Sequence, residues 1–311
     1  MTEPTAADDS FHPIADPNPL WTETTWWGFL VPEHGIGGML YTLFRPNLGV
    51  ASVVVQVWDA DAVEPWRAPY ARQQWHVPMP TTDLTDCEVG GLHIECIEPL
   101  TAYRLRYSDE RHADLDLEYR ALAAPHGVPI GDGIGHFDQA CQVRGTLVLA
   151  DTSLAVDAPA VRDRSWYVRE DRRSLRAGYT YAIGDDGEHL VVHSRAIDPA
   201  VDETLVLGGY LARDGVKADL KGGTRRVASR RRGHPDVVEI DAIDAEGRWV
   251  QATARVYASL ASQSTPGMFA WMSMCEWSID GRAALGEDHD VWSPDLLTRD
   301  LASRTSHMRS G

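Results

Sequence analysis

Hydrophobic and polar residues alternate with a period of two along much of this chain. Residues 102–107 and 114–120 show the pattern most clearly, since single charged side chains separate aromatic or aliphatic ones. Such alternation predicts β-strands with one face against a core and one face toward water. Helical spacing is nearly absent, and the best helical candidate is the short stretch from Pro69 to Trp75. Further strand-like runs lie at residues 49–58, 142–149, 188–194, 236–243 and 249–258.

Dipeptides typical of hairpin turns punctuate these runs, and Asp214-Gly215 and Asp280-Gly281 are two of them. Many short strands with frequent turns predict a β-sandwich or β-barrel. With 311 residues the chain is long enough for two such domains. We therefore expect an all-β protein of two antiparallel barrels or sandwiches packed together. The expected boundaries are a disordered lead-in at residues 1–15, an N-terminal domain at 16–165 and a C-terminal domain at 166–311.

Composition and charge narrow the functional classes. The net charge of −17 repels phosphate backbones, so nucleic acid is not expected as a partner. Residues 1–10 lack the positive and apolar regions of a signal peptide, and no apolar run approaches the roughly 20 residues of a transmembrane helix. We therefore expect a cytoplasmic protein without a membrane span, and the sequence leaves its oligomeric state open. Eleven Trp against five Phe indicate broad aromatic surfaces that line an interior.

Polar side chains crowd together before one predicted strand, in residues 131–139. They are Asp132, His136, Asp138 and Gln139. In a strand, His136 and Asp138 point to the same face because successive side chains alternate. One interpretation is an acid–base pair, in which the carboxylate orients and tunes the imidazole. The other is a turn followed by a structural polar pair at the end of a strand.

A second polar segment, from Arg162 to Trp166, alternates positive and negative charges before a tryptophan. Arg162, Asp163 and Arg164 suit a buried ion-pair network packed against an aromatic wall. Such a network either clamps the two halves of the protein together or brings Asp163 into a catalytic site. Both interpretations stay open at this point.

A third candidate lies in the tryptophan-rich stretch from Trp271 to Trp277. Glu276 alternates there with apolar neighbours, so it points away from Cys275. A carboxylic acid that apolar surroundings keep neutral can donate a proton to carbon. Alternatively, Glu276 is an ordinary outward-facing residue. Trp27, in an aromatic segment near the N-terminus, belongs either to the core or to the wall of a ligand site.

Several catalytic motifs do not occur in the sequence, among them GxSxG, the P-loop, HExxH and a strand–GxGxxG–helix unit. One rival pattern does occur. His136-x-Asp138 with a distant histidine (His189, His193 or His234) matches the two-histidine, one-carboxylate iron site. A mononuclear non-haem iron oxygenase is therefore an alternative hypothesis.

Five segments of the chain form a recognisable series. GHFDQACQVRGTL at residues 135–147 is followed by RDRSW at residues 162–166, WTETTWWGFL and YTLFRPNLGV lie near the start, and EWSIDGRAALGEDHDVW lies near the end. Together they resemble the carotenoid 1,2-hydratase-like superfamily, also called hydroxyneurosporene synthase-like or AttH-like. The sequence departs from the family pattern at Tyr167, where relatives usually carry Gly, and at Asp138, where many carry Glu.

The resemblance implies two lipocalin-like β-barrels with an apolar pocket. It also implies a lyase of the hydratase or dehydratase type, or an isomerase, acting on an isoprenoid, terpenoid or steroid-like alkene or alcohol. Such chemistry requires no metal and no organic cofactor, because proton transfer and a stabilised cation are sufficient. A non-enzymatic carrier of a hydrophobic small molecule is the alternative, since it needs the same pocket without an acid.

The lyase hypothesis assigns roles to particular residues. A neutral carboxylic acid, Asp138, Asp163 or Glu276, protonates the alkene or the leaving hydroxyl, and His136 positions water as a base. If the protein is an enzyme, the polar cluster converges on the pocket, whereas in a carrier it caps strands outside it. The expected substrate-binding residues are Trp27, Trp166, Trp271, Trp277 and Gln139.

Overall fold

The computed structural model describes residues 3–110, 112–131, 134–170 and 175–309. The chain divides into two compact units. Unit 1 comprises Met1–Asp59 and Ala68–Arg169, and unit 2 comprises Ala60–Arg67 and Glu170–Gly311. Strands dominate both units and all their pairings are antiparallel, which confirms the predicted all-β class.

Unit 1 is a barrel-like sheet of eleven strands within the described residues. Its strand order is β4-β3-β2-β1-β11-β10-β8-β7-β6-β5, and β9 pairs with β10 off this path. The strands are β1 (Trp21–Val31), β2 (Ile36–Arg45), β3 (Val50–Trp58), β4 (Tyr70–Pro78), β5 (Asp86–Val89), β6 (Leu92–Glu98), β7 (Ala102–Asp109), β8 (Ala113–Ala121), β9 (His126–Gly131), β10 (Ile134–Leu149) and β11 (Thr152–Val168).

Unit 2 is a closed barrel of eight strands, β12 to β19, each paired with the next in the chain and the last with the first. Apolar side chains from all eight strands fill its interior, among them Leu190, Val238 and Trp277. The elements are β12 (Arg176–Gly184), β13 (His189–Arg195), β14 (Glu203–Arg213), β15 (Val216–Arg231), β16 (His234–Asp244), β17 (Trp249–Thr265), β18 (Met268–Ile279), β19 (Arg282–Trp292) and the helix α1 (Pro294–Arg309).

The turn dipeptides lie where their residue types predict. Asp214 and Gly215 join β14 to β15, and both have positive φ, 52° and 74°. Asp280 and Gly281 join β18 to β19 in the same way, with φ of 46° and 84°. Positive φ at both central residues is the conformation of a two-residue hairpin whose twist matches that of the strands. The residue types in these two turns therefore fix the strand register of the β14–β15 and β18–β19 hairpins.

The N-terminal segment differs from the disordered lead-in expected at residues 1–15. Ala6–Asp9 form a 3-10 turn, and the Asp9 side chain is buried in unit 1. Phe11 packs edge-on against Phe44 of β2, with 4.9 Å between ring centroids. Because buried charge and aromatic contacts hold this segment, its polar composition was a poor guide to its order.

The predicted helix at Pro69 to Trp75 is wrong, since β4 begins at Tyr70, contains the rest of this stretch and pairs with β3. The actual helix, α1, was missed, although Pro294 at its first position and Asp295 in its first turn are typical helix starts. No helix in the described residues has both the length and the hydrophobicity to cross a bilayer.

Two neighbouring glycines in β14 provide a matched test of barrel packing. Gly209 has φ of +109°, and a Cβ there would lie 2.0 Å from the backbone oxygen of Val191, whereas a Cβ on Gly208 meets nothing within 4 Å. We expect Gly209→Ala to lower the free energy of unfolding by about 2–4 kcal/mol through strain and overpacking. Gly208→Ala should change it by less than about 1 kcal/mol. Urea denaturation followed by circular dichroism compares the two, and equal effects would contradict the close approach.

Candidate functional site

Three of the sequence motifs lie side by side in unit 1, on β1, β11 and β10. The strand registers pair Trp27 with Arg162 and Arg162 with Gln139. Directly paired residues share a face of a sheet, and successive residues alternate between faces. This row therefore marks one face, called here the inner face, and the residues beside it in sequence lie on the opposite, outer face.

The inner face carries a buried ion-pair network. Arg162 donates from Nη1 to Asp9 Oδ1 at 3.0 Å and from Nε to Gln139 Oε1 at 2.7 Å. Tyr103 donates to Asp9 Oδ2 at 2.7 Å, and its ring lies 3.9 Å from the Arg162 guanidinium carbon. The ring of Trp27 is 5.2 Å from that of Tyr103. Gln139 is thus part of this network and Trp27 packs against it, and the substrate-binding roles expected for both residues stay predictions.

A second network of buried charged and polar side chains lies on the same face. Arg164 pairs with Glu23 at 3.0 Å, and both side chains are 1% exposed. His12 bridges Glu23 and Asp8, with contacts of 3.1 and 3.0 Å. Its ring stacks on Trp166 at 3.8 Å between centroids. One face of the Trp166 ring is therefore covered by the chain's own N-terminal segment, and the substrate-binding role expected for Trp166 stays a prediction.

The inner face leaves little room for a ligand. A cavity bounded by Trp27, Tyr103, Arg162 and Arg164 has a volume of about 10 Å³. That space suits about one water molecule, whereas small-molecule pockets usually measure about 300–1,000 Å³. The apolar pocket that the family resemblance implies is therefore not this cavity.

The outer face carries the predicted acid–base residues. The registers align Trp26 with Asp163 and Asp163 with Asp138. His136 Nε2 lies 3.1 Å from Asp138 Oδ1, and the two side chains are 15% and 0% exposed. The structure thus brings His136, Asp138 and Asp163 together on one face.

The pKa of His136 follows from these neighbours. Burial alone lowers it, but the charge and hydrogen bond of Asp138 and the charge of Asp163 together raise it above its usual value. A raised pKa keeps the imidazolium populated to a higher pH. His136 can therefore donate a proton near neutrality, a role that the sequence assigned to a carboxylic acid.

Polar and aromatic groups surround this dyad on the outer face. Ser165 Oγ accepts from Arg169 Nη2 at 2.6 Å and lies 2.7 Å from Thr24 Oγ1. Arg169 also reaches Tyr41 OH at 3.3 Å, and the Tyr41 ring is 5.9 Å from that of Trp26. Burial raises the pKa of Tyr41, while Arg169 opposes that effect. This side of the sheet therefore combines proton-transfer groups with aromatic surfaces.

The remaining predicted site residues lie in unit 2. Glu276 is exposed on β18, so the apolar surroundings expected for this acid are not found and the outward-facing interpretation holds. Trp277 is packed in the barrel core, and Trp271 lies beside Phe269 and His234, with 5.0 and 6.0 Å between ring centroids. Their substrate-binding roles stay predictions. Asp132 lies outside the described residues.

The iron hypothesis also stays a prediction. His136 and Asp138 supply an imidazole and a carboxylate, which are ligand types that such a site needs. Every candidate for the second histidine, His189, His193 or His234, belongs to unit 2.

Sequence reasoning missed Trp26, Tyr41, Ser165 and Arg169 in the outer-face group. The signal was present in part, because period-two alternation separates Trp26 from Trp27 and Ser165 from Trp166. Which of the two faces carries the chemistry depends on the pairing of β1 with β11, which joins residues more than a hundred positions apart.

Comparisons with known proteins agree with this fold. A family model described as a domain of unknown function, DUF7064, matches residues 5–287. The crystal structure of an AttH-like protein from Nitrosomonas europaea is similar, with a TM-score of 0.60 and 15% identity over 88% of this chain and 91% of that chain. The structure of CghA with Sch210972 has a TM-score of 0.51 and 10% identity over 88% and 89% of the two chains.

Kievitone hydratase from Nectria haematococca has a TM-score of 0.49 and 9% identity, over 94% of each chain. No curated protein sequence matches the chain significantly. At identities of 15% and 10%, the likeness to the AttH-like protein and to CghA shows the fold alone, in agreement with the fold expected from the family resemblance.

Proposed function

This chain belongs to the DUF7064 family, and for it we propose the activity of a cofactor-independent hydro-lyase acting on a hydrophobic alkene or alcohol. The observation that supports the proposal is the buried His136–Asp138 pair, with Asp163 beside it in register. Trp26 and Tyr41 add aromatic surface on the same face. The expected substrate is an isoprenoid, terpenoid or steroid-like molecule.

In the dehydration direction, His136 acts as the general acid. Its imidazolium gives a proton to the hydroxyl oxygen, the C–O bond breaks with its electron pair going to oxygen, and water leaves. Aromatic faces stabilise the cation that forms, and Trp26 is the residue proposed for this role. Asp163 then removes a proton from the neighbouring carbon, and that C–H electron pair becomes the alkene bond.

Hydration follows the same steps in reverse. Asp163, now carrying the proton, delivers it to the alkene carbon, and neutral His136 takes a proton from the attacking water. Asp138 holds the imidazole in place in both directions and stabilises its charged form. Loss of a proton from a different carbon of the cation that forms when the alkene is protonated would give an isomeric alkene, which is the reaction of an isomerase.

The carrier hypothesis has less support. A carrier needs the same pocket as the lyase, so the cavity of about 10 Å³ on the inner face of unit 1 does not separate the two hypotheses. The difference is the His136–Asp138 pair, for which a carrier gives no reason, because such a pair costs desolvation energy without adding affinity for an apolar ligand.

Oxygen-18 exchange tests the proposal directly. Linalool, a tertiary allylic alcohol, is incubated with the protein in H₂¹⁸O, and reversible loss of water then places ¹⁸O in the alcohol, which mass spectrometry detects. Because the raised pKa of His136 extends the imidazolium form to higher pH, exchange should persist above pH ~6.5, the ordinary histidine value, and fall as the pH passes through the raised pKa. In His136→Gln this decline should disappear together with most of the rate.

Treatment with EDTA separates this proposal from the iron alternative. Full exchange after dialysis against EDTA supports the lyase, while loss that ferrous iron restores would replace it with a metal enzyme. The lyase proposal would be removed if linalool showed no ¹⁸O exchange and if none of a panel of acyclic and cyclic alkenes gained ¹⁸O by hydration.

A further inference from the structure

Two buried hydrogen-bond donors border the small cavity on the inner face of unit 1. Trp27 and Arg164 both line this cavity, and they are 2% and 1% exposed. Within the described residues, neither Nε1 of Trp27 nor Nη1 of Arg164 meets a hydrogen-bond acceptor. A buried donor without an acceptor costs free energy, and the cost is largest for a charged group. A cavity ligand that accepts these hydrogen bonds would remove that cost.

The acceptors at the cavity are already engaged. Asp9 Oδ1 accepts from Arg162, and Asp9 Oδ2 accepts from Tyr103. Thr25 Oγ1 lies 2.7 Å from Thr42 Oγ1. The other lining residues carry apolar side chains or a thiol, and they are Leu84, Ile94 and Cys96. Because a water molecule has two hydrogens to donate, a ligand that only accepts hydrogen bonds matches this lining better.

The charge beside the cavity also favours an anion. Arg164 pairs with Glu23 at 3.0 Å, and His12 contacts the same carboxylate at 3.1 Å. Burial lowers the pKa of the Arg164 guanidinium below its usual value, and the charges of Glu23 and Asp9 do not fully offset this effect. A further negative charge near Arg164 would therefore be stabilised inside unit 1.

The volume of the cavity restricts this anion to a single atom. About 10 Å³ suits about one water molecule, and a chloride ion needs little more room. Sulfate and phosphate are polyatomic and too large for this space. Chloride is also a pure acceptor, as the lining requires.

We propose that Trp27 and Arg164 hold a chloride ion in this cavity, with Trp27 Nε1 and Arg164 Nη1 as its hydrogen-bond donors. Trp27 belongs to β1 and Arg164 to the neighbouring β11, so the ion ties these two strands together. The site lies on the opposite face of the sheet from His136 and Asp138. Chloride is therefore a structural ligand of unit 1, and the site does not depend on the proposed lyase activity.

Urea denaturation at constant ionic strength tests this site with chloride itself as the probe. When sodium gluconate is exchanged stepwise for sodium chloride, the midpoint should rise and then saturate, because a ligand that binds only the folded state stabilises it. Sodium bromide should produce the same saturating rise, since bromide is also a monatomic acceptor.

Two tryptophan variants assign the effect to the cavity. Trp27→Phe removes the indole N–H and keeps an aromatic ring, so the half-saturating chloride concentration should rise by about tenfold or more. Trp58→Phe is the matched control. Trp58 is fully buried in unit 1, and its Nε1 also meets no acceptor in the described structure, but it does not line the cavity. This variant should keep the wild-type chloride response.

Each outcome decides for or against the chloride site. An equal midpoint in gluconate and in chloride would overturn it and leave a water molecule as the ligand of the cavity. The same chloride response in Trp27→Phe and Trp58→Phe would also overturn it, because the ion would then act elsewhere. If circular dichroism shows that Trp27→Phe does not fold, diffraction from wild-type crystals grown in sodium bromide decides. An anomalous bromide peak between Trp27 and Arg164 supports the site, and a cavity without that peak refutes it.

Discussion

Asp138→Asn is expected to slow the ¹⁸O exchange of linalool by about 10²–10⁴-fold, the contribution that general acid–base catalysis usually makes. Asp138 is fully buried, and its Oδ1 lies 3.1 Å from His136 Nε2. An amide there keeps the shape of the side chain but removes the charge that raises the pKa of His136. The imidazolium is then depleted at neutral pH, so the rate maximum should also move to lower pH.

A matched carboxylate on β11 controls for this change. Asp157 is 60% exposed and pairs only with neighbouring surface residues in the described structure. Asp157→Asn should therefore retain the exchange rate within about twofold, since exposed pairs contribute little. The assignment of Asp138 would fail if Asp138→Asn, folded by circular dichroism, exchanged as fast as Asp157→Asn.

Removing the Asp9 carboxylate should destabilise unit 1 by about 3–5 kcal/mol, because breaking a buried ion pair leaves one charge uncompensated. Asp9 accepts from Arg162, from Tyr103 and from the backbone N–H of Leu100. In Asp9→Ala, Arg162 keeps Gln139 Oε1 as an acceptor but loses its charge partner. The midpoint of urea denaturation should fall accordingly.

The control is an exposed aspartate in the same unit. Asp86 is 78% exposed, and its Oδ1 lies 2.7 Å from His93 Nε2. Asp86→Ala should cost less than about 1 kcal/mol. If both variants lost a comparable amount of unfolding free energy, the N-terminal segment would not be anchored through Arg162.

The sequence pattern predicted the fold class well because period-two alternation and Asp-Gly turns are local properties. Both appear in the structure, for example at Asp214-Gly215 between β14 and β15. The wrong prediction of secondary structure near residue 70 also has a physical cause. The stretch at Tyr70–Pro78 is a strand because β3 supplies its hydrogen bonds, and no local signal reports a partner strand.

The candidate site was predicted in part for a related reason. Alternation correctly placed His136 and Asp138 on one face of a strand. It also placed Gln139 on the opposite face of that strand, but it could not say that Trp27 shares the face of Gln139, because that follows from three strands in register. It also could not show that Glu276 faces outward, since a period gives a face but not what covers it.

The short stretch Ala60–Arg67 has a consequence for how this protein could have evolved. It belongs to unit 2, although the chain on both sides of it belongs to unit 1. Val63 within it accepts a hydrogen bond from the backbone of Ala261 in β17, at 2.8 Å. A single recombination break near residue 170 would therefore separate the barrel of unit 2 from Ala60–Arg67, which belongs to the same unit. We therefore expect that the two units were inherited together as one gene segment and were not exchanged as separate modules.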